Sequence, residues 1–393
     1  RVVSLVGMEI PREEQVRIRA DLGFSATGRG EVLEVWVPSW RPDVRGEADL
    51  VEEIARVASL TRLPARPLAR PSEGVAAPTL TLRQRREAGI RRQLAALGLN
   101  ECVTYSFVSA EEAALFGGPI DGLSLQNPIS SEMSEMRPEL LPGLLAAAAR
   151  NQARGFANLG LFEVGPVFHG PEPGDQQLRA AALRTGMSGP RHWSGPRRPV
   201  DALDARADAE AALATLGAPV DKLQVAREAP GWFHPGRSGV LKLGPKTVLA
   251  QFGELHPRVL ETMDVKGPAV AAVVMPEAVP APRRRTTARP ALEASDLQAV
   301  ERDFAFVVGE RVEAGEILRA ARSADRELIA EARVFDVFEG KRAAAQLGEG
   351  LKSVAIAVRL QPRKATLTEG EIDAVAQKVI EAVESATGGR LRG

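Results

Sequence analysis

The sequence contains one cysteine, one tyrosine and four histidines among its 393 residues. The single thiol, Cys102, excludes a disulfide framework and a cysteine-rich zinc site, because each of these needs several cysteines. An excess of either charge is also absent, since 51 lysines and arginines balance 51 aspartates and glutamates. Contact with a nucleic acid would therefore need a local basic patch, because the chain has no global basic field. No apolar run approaches the length that spans a bilayer.

The length of 393 residues and the 44% hydrophobic content are typical of a protein with two or three packed domains. The sequence begins with Arg1, and nothing near it resembles a signal peptide, so we expect a piece of a longer cytoplasmic chain. Proline-rich tracts at residues 65–78 and 280–290 are typical of linkers. They predict three domains, at residues 1–70, 79–280 and 290–393.

An alanine- and leucine-rich segment lies near the middle of the chain. Pro138 suits the first turn of a helix, the residues from Leu140 to Ala149 are almost all apolar, and Gly155 is a favourable stop. The predicted helix is apolar on nearly every side, so it should be buried on more than one side. Such a helix belongs either in the core of a single domain or in an interface shared with a second subunit.

The first domain is predicted to mix helices with short strands. Val2 to Leu5 is typical of a strand, and Pro11 begins a helix that ends at Gly23. The alternation of apolar and polar residues from Leu33 to Val37 predicts a half-buried strand, and residues 48–60 predict a second helix. Small modules of this composition are typical of a winged-helix-like fold.

Four carboxylates in the first domain, Asp43, Asp49, Glu52 and Glu53, are candidate metal ligands. Three of them follow an i, i+3, i+4 spacing, which clusters them over one helical turn, and Asp43 precedes them in a loop. A set of oxygen ligands without histidine or cysteine suits a hard cation such as Mg²⁺. The alternative is that acidic residues simply stabilise the N-terminus of a helix.

Beyond residue 290 the predicted elements follow the order β-α-β-β-α-β, which is the split pattern of ferredoxin-like domains. Thr368 and Glu371 form a capping box at the start of the second helix. Strands are predicted at 304–308, 332–338, 354–361 and 390–392, and helices at 314–323 and from residue 368.

Several phrases of the sequence together resemble the bacterial phenylalanine–tRNA ligase beta-subunit family. They are "LQNPISSEMSEMRPELLPGLLAAAARNQARG", "LGLFEVGPVF", "ERDFAFVV", "VFDVFEGK", "LKSVAIAVRLQ" and "TLTEGEID". The resemblance extends over essentially the whole chain and corresponds to the C-terminal half of the family's subunit. It implies an α+β multidomain fold with a winged-helix-like N-terminal module, a class II synthetase-like central domain built on an antiparallel sheet, and a ferredoxin-like anticodon-binding domain.

The resemblance also implies cofactors and partners. In this family a magnesium site matches Asp43, Asp49, Glu52 and Glu53, after a Trp-Arg-Pro-Asp lead. ATP is bound on the alpha subunit, so no catalytic residue is expected in this chain. The helix from Leu140 to Arg154 would pack against that alpha subunit, in a heterotetramer of two alpha and two beta chains.

An RNA contact is expected on the open face of the ferredoxin-like sheet, where aromatic rings stack on bases and basic groups contact phosphate. The candidates are Arg333, Phe335, Arg359 and Gln361. An ordinary exposed sheet face is the alternative, and Glu301 weakens a phosphate contact in its vicinity. Two other functions stay open: a free-standing RNA-binding or scaffold protein, and an ATP-dependent activity of the central domain itself. The second is disfavoured, because "LGLFEVGPVF" places no arginine beside Glu163.

Overall fold

The computed structural model describes residues 1–28, 30, 32–69, 79–282, 291 and 294–392. The chain divides into two compact units, Arg1–Thr79 and Leu80–Gly393. Most of the two predicted linkers, including Arg283, Arg284 and Arg285, lies outside the described residues. Among the described residues, every helix is too short or too polar to cross a membrane.

The first unit packs helices around one small apolar cluster, in which Met8, Ile18 and Ile54 are buried. Its two short strands pair antiparallel. The elements described in this unit are α1 (Val2–Val6), α2 (Arg12–Asp21), β1 (Ser25–Thr27), β2 (Glu34–Trp36) and α3 (Glu47–Ala58).

The predicted strand from Val2 to Leu5 is wrong, because these residues form the helix α1. Gly7 closes this helix in a left-handed conformation, with φ at 78°, and its N–H donates to the carbonyl of Val3. A residue with a side chain adopts that conformation only at a cost, so the glycine favours the helical turn. Packing of Val2 in the apolar cluster then outweighs the strand propensity of its valines.

The central part of the second unit is built on a seven-stranded mixed sheet with the order β3-β6-β7-β11-β10-β9-β8. The predicted antiparallel pairing holds for all neighbours except β3 and β6, which are parallel. A separate pair of strands, β4 and β5, lies outside this sheet. The elements are α4 (Leu82–Ala96), β3 (Asn100–Glu101), β4 (Phe107–Val108), α5 (Ala110–Leu115), β5 (Glu135–Met136), α6 (Leu141–Ala153), β6 (Leu159–Phe168), β7 (Gln176–Thr185), α7 (Ala202–Thr215), β8 (Gln224–Ala226), β9 (Phe233–Leu243), β10 (Thr247–Leu255), α8 (Pro257–Thr262) and β11 (Ala269–Val274).

Both faces of the seven-stranded sheet are covered. Side chains on one face pack with α4 and α7 in one apolar cluster, which includes Ile90 and Leu213. Side chains on the other face pack with α6 and α8 in a second cluster, which includes Leu144 and Val259. Because successive residues of a strand point to opposite faces, each long strand contributes to both clusters.

The helix α6 begins at Leu141, three residues later than Pro138 suggested. A helix begun at Pro138 would carry Pro142 in its interior, where proline removes a hydrogen bond and clashes with the preceding turn. Starting at Leu141 places Pro142 in the first turn, where no backbone donor is needed. Four leucines of this segment, Leu140, Leu141, Leu144 and Leu145, are completely buried against the chain's own sheet.

The C-terminal part of the second unit has the predicted ferredoxin-like order, with one additional helix, α10. Its sheet has the order β13-β14-β12-β15, and all of its pairs are antiparallel. The predicted capping box is present, since the Thr368 hydroxyl accepts from the N–H of Glu371 and the glutamate accepts in return. The elements are β12 (Val300–Gly309), α9 (Ala314–Ala324), β13 (Ile329–Phe338), α10 (Lys341–Leu347), β14 (Leu351–Leu360), α11 (Glu369–Thr387) and β15 (Arg390–Leu391).

Candidate RNA-binding, metal-binding and assembly surfaces

Two of the four candidate metal ligands are bound by one arginine. The Arg41 guanidinium donates to both carboxylate oxygens of Asp43, at 3.0 and 2.7 Å, and to Oε1 of Glu53, at 2.9 Å. Glu53 is nearly buried and also accepts from Arg56. The positive charge shared by these two carboxylates is therefore that of Arg41, a side chain of the same chain.

The other two candidate ligands differ from each other. Asp49 accepts from the backbone N–H groups of Arg45 and Gly46, at 2.8 and 2.9 Å, and so caps the N-terminus of α3. Glu52 is exposed and forms no hydrogen bond or ion pair with any described residue. Asp49 therefore stabilises its helix terminus, whereas Glu52 has no partner among the described residues.

These contacts lower the pKa values of three carboxyl groups. The Arg41 guanidinium lowers the pKa of Asp43 and, together with Arg56, that of Glu53, while backbone N–H groups lower the pKa of Asp49. A carboxyl whose folded pKa is depressed stabilises the fold above its unfolded pKa of about 4. That stabilisation is lost as the pH falls through the lower, folded value.

The arrangement as it stands does not fit a metal ion. Within the part of the chain that the structure describes, no three carboxylate, histidine or cysteine side chains stand close enough to hold one. A set of oxygen ligands suits Mg²⁺, but the Arg41 guanidinium occupies the position beside Asp43 and Glu53 that a metal ion would need. Metal binding by these four residues stays a prediction.

The open face of the C-terminal sheet carries two of the four predicted RNA-binding residues on neighbouring strands. Arg333 on β13 lies opposite Ala357, and Arg359 is two residues further along the same face of β14. Arg359 also lies between two acidic positions, because it pairs with Glu331 on one side and Glu301 on the other. The two glutamates thus outnumber the one arginine at this end of the face, whereas Arg333 faces an alanine.

Phe335 and Gln361, the other two predicted residues, have different surroundings. Phe335 lies at a bulge between Val334 and Asp336, where the register shifts, and its side chain is 52% exposed. Bulges re-aim side chains, so this ring is accessible beside the open face. The amide of Gln361 instead donates to the carbonyl of Leu297 at 2.8 Å, which ties the end of β14 to the segment before β12.

A second group, which the sequence did not indicate, lies at the opposite end of this face. Phe338 lies opposite Ser353, and the Arg392 guanidinium stands 5.8 Å from the centre of its ring. Arg390 on β15 pairs with Val307 of the same sheet. The predicted last strand could have placed these arginines beside β12, but no local sequence pattern connects them with Phe338.

The central domain contains a buried ion pair that the sequence did not indicate. Arg137 donates to Oε1 of Glu163 at 2.7 Å, and the two side chains are 3% and 5% exposed. Arg137 also donates to the Thr104 hydroxyl and to the carbonyl of Pro166. The sequence around Glu163 contains no arginine, but the fold brings Arg137 to it. This arginine is enclosed and already binds Glu163, Thr104 and Pro166. It is therefore not accessible to the phosphates of a nucleotide.

The leucine side of α6 is enclosed within its own domain, so a partner chain cannot contact it there. The opposite side of this helix borders an open groove of about 340 Å³. Val103 and Tyr105, in the connection between β3 and β4, are 92% and 73% exposed at this groove. The predicted strand "ECVTYSFV" is interrupted here, since only its two ends pair. The groove, which we call the α6 groove, is lined by Val103, Thr104, Tyr105, Phe107, Val108, Glu112, Pro142, Gly143, Ala146 and Arg150.

Comparison with protein families gives three matches along the chain. Residues 67–274 match the family described as "Phenylalanyl tRNA synthetase beta chain CLM domain". Residues 295–392 match the "Ferredoxin-fold anticodon binding domain", in agreement with the predicted C-terminal fold. Residues 1–59 match the "tRNA synthetase B5 domain".

Curated proteins named "Phenylalanine--tRNA ligase beta subunit" are similar over the whole chain. The proteins from Ruegeria pomeroyi and Cereibacter sphaeroides are each 60% identical over 393 residues, which is 100% of this chain and 48% of theirs. The protein from Paramagnetospirillum magneticum is 49% identical over 394 residues, again with 100% and 48% covered. The chain therefore spans about half the length of the curated relatives it matches.

Among solved structures, a pyrrolysyl tRNA synthetase from Desulfitobacterium hafniense aligns with 49% of this chain and 64% of its own. The identity is 16% and the TM-score is 0.37, which is too low to indicate a shared fold.

Proposed function

The chain belongs to the phenylalanyl tRNA synthetase beta chain family, and from this premise we propose that it forms part of an ATP-dependent phenylalanine–tRNA ligase. The complete enzyme attaches phenylalanine to its tRNA in the cytoplasm. Its ATP, with Mg²⁺, is bound on the alpha subunit, and two alpha and two beta chains form the assembly. This chain holds the alpha subunit and the tRNA, and it contributes no catalytic residue.

The observation that carries this proposal is the ferredoxin-like domain with one uncovered sheet face. Helices α9 and α11 pack on the apolar face through Ile317 and Val379, which are completely buried. The opposite face carries Arg333, and the exposed ring of Phe335 lies at the bulge beside it. A basic group beside an aromatic ring is the combination that holds an unpaired nucleotide, because the base stacks and its phosphate is neutralised.

Replacing Arg333 with glutamine and Phe335 with alanine should weaken tRNA binding by the complete enzyme roughly tenfold, since stacking contributes ~1–3 kcal/mol per base. The aminoacylation rate at saturating tRNA should stay near the wild-type value, because both residues are remote from ATP in this proposal. Steady-state charging of tRNA by the full-length subunit, assembled with its partner, separates KM from kcat.

Arg319 provides a matched control, because it is an exposed arginine of α9, on the helical layer of the same domain. Its replacement by glutamine removes the same charge and should leave KM for tRNA unchanged. An equal rise in KM for both variants would mean that only the net charge matters. An unchanged KM for the Arg333→Gln/Phe335→Ala variant would remove the sheet face from the binding site.

For the first unit we propose that Mg²⁺ binding at Asp43, Asp49, Glu52 and Glu53 requires Arg41 to release Asp43 and Glu53. Magnesium should then raise the melting temperature, and replacement of Glu52 by glutamine should abolish that rise. Glu52 is the informative residue, because it has no partner among the described residues and its loss should not disturb the fold in chelator.

Differential scanning fluorimetry with and without magnesium measures this effect on the full-length subunit. Replacement of Glu13 by glutamine, at an exposed position of α2, is the control for lost negative charge. A magnesium-dependent rise that survives in the Glu52→Gln variant would show that Glu52 is not a ligand. If magnesium does not raise the melting temperature of the wild-type protein, these residues do not bind the ion, and Arg41 remains paired with Asp43 and Glu53.

A further inference from the structure

The connection between β7 and α7 exposes a tryptophan among positive charges. Residues 187–199, which we call the tryptophan loop, contain Arg191, Arg197 and Arg198 but no aspartate or glutamate. The Trp193 side chain is 91% exposed at the tip of this loop. An exposed indole offers a free ring face for stacking and an N–H donor, and here it stands beside several guanidinium groups.

The base of the tryptophan loop is fixed to the central domain. The N–H of Ser188 donates to the carbonyl of Arg198 at 2.9 Å, and the N–H of Val200 donates to that of Gly186 at 3.0 Å. Arg198 also fixes the base of the loop, because its guanidinium donates to both carboxylate oxygens of Asp204 at 2.7 Å. The loop is therefore held as a hairpin that projects a defined tip.

The tip itself is ordered by local contacts that leave its binding groups free. His192 and Gly195 form an isolated bridge, which places Trp193 within a tight turn. The His192 ring lies 5.5 Å from the Trp193 ring and is held by Ser194, whose hydroxyl is 2.7 Å from Nδ1. Arg191 and Arg197 are exposed, and neither forms an ion pair or side-chain hydrogen bond with any described residue.

We propose that the tryptophan loop binds an unpaired stretch of the tRNA, with a base stacked on Trp193 and phosphates contacted by Arg191 and Arg197. This inference rests on the proposed function, because tRNA is the substrate of that enzyme. It adds a contact on the central domain to the one expected on the ferredoxin-like domain.

Charge and composition favour RNA over a protein as the occupant. Apart from Trp193 and Met187, the loop offers no large apolar side chain, whereas protein interfaces usually surround such a ring with further apolar contacts. Two unpaired guanidinium groups on the same short loop instead match the repeated negative charge of a sugar–phosphate backbone. Every base has a ring face for the indole, so the contact requires single-stranded RNA but little sequence specificity.

Replacement of Trp193 by alanine should weaken tRNA binding by about tenfold, whereas replacement by phenylalanine should largely preserve it, because both aromatic rings stack. The Arg191→Gln/Arg197→Gln variant should reduce the slope of log K against log salt by roughly 0.7 per lost contact. The variants are made in the full-length subunit, assembled with its partner chain. Filter binding of a phenylalanine tRNA transcript at several salt concentrations gives both quantities.

Arg85 and Arg92 supply the matched control, because both are exposed on α4 and neither binds a described residue. Their joint replacement by glutamine removes the same charge and should leave the salt slope unchanged. Equal slopes for the two double variants, or wild-type affinity of the Trp193→Ala enzyme, would overturn the proposal. Loss of subunit assembly in the Trp193→Ala variant, with tRNA affinity intact, would assign the loop to a protein contact instead.

The failure of this inference can be told apart from failure of the proposed function. If the wild-type enzyme binds tRNA, and the loop variants bind it with the same affinity and salt slope as the control variant, then only the proposed loop contact is wrong. If the wild-type enzyme shows no tRNA binding, both proposals fall.

Discussion

Replacement of Arg137 by methionine should lower the free energy of unfolding of the central domain by about 3–5 kcal/mol, the cost of breaking a buried ion pair on one side. Glu163 would keep its carboxylate in a site where it is 5% exposed, with the Thr104 hydroxyl, at 2.7 Å, as its main remaining partner. Urea unfolding, followed by tryptophan fluorescence, measures the loss as a shift in the transition midpoint.

The size of this effect depends on the uncompensated charge and not on the attraction within the pair. The Arg137→Met/Glu163→Leu double variant should therefore recover part of the loss, because apolar replacements of buried pairs are often tolerated. A double-mutant cycle gives the coupling between the two positions. If the double variant were as unstable as the sum of the two single variants, the two side chains would act independently.

Arg206 is the control for this experiment, because it pairs with Glu210 on the surface of α7 at a spacing of four residues. Exposed pairs of this kind contribute little, so the Arg206→Met variant should change stability by less than about 0.5 kcal/mol. A loss similar to that of Arg137→Met would attribute the effect to the missing side chain and not to its burial.

If the alpha subunit packs against α6 at the α6 groove, as we propose, replacement of Val103 by aspartate should weaken association with that subunit by about 100-fold while leaving this chain folded. Val103 is 92% exposed in this chain, so the new carboxylate would remain solvated until the partner covers it. Burial of an unpaired charge in an interface costs several kcal/mol, which accounts for the expected size. Co-elution of the two subunits in size-exclusion chromatography, followed by titration calorimetry, gives the affinity.

The control for surface charge is Leu203→Asp, at a residue of α7 that is 67% exposed and does not line the α6 groove. That variant should assemble normally. Normal assembly of the Val103→Asp variant would mean that the groove is not where the partner binds. A free-standing RNA-binding protein, by contrast, would show no dependence on either residue.

The C-terminal domain is the part that the sequence predicted best. Alternating apolar residues such as Val354 and Ile356 define one buried face, and the capping box at Thr368 marks the start of α11. These signals are local, with periods of two and 3.6 residues, so one sequence is enough to read them. The additional helix α10 is short and carries neither a long apolar stripe nor a side-chain cap.

Contacts between residues far apart in the chain were not predictable in this way. Arg137 meets Glu163 across 26 positions, and Arg41 reaches Glu53 across 12. Spacing within α3 suggested that its carboxylates gather around a metal, but it carried no information about an arginine in the preceding loop. The α6 helix was likewise predicted to be buried on several sides. Which elements pack on each side depends on the fold of the sheet, which the helix sequence does not encode.

The seven-stranded sheet ends in very short strands, two residues long in β3 and three in β8. Very short edge strands are one of the features by which natural sheets limit pairing with another chain. Copies of the protein that have not yet assembled should therefore resist pairing edge to edge into fibrous aggregates. Lengthening β8 with alternating valines would be an unfavourable choice in any redesign.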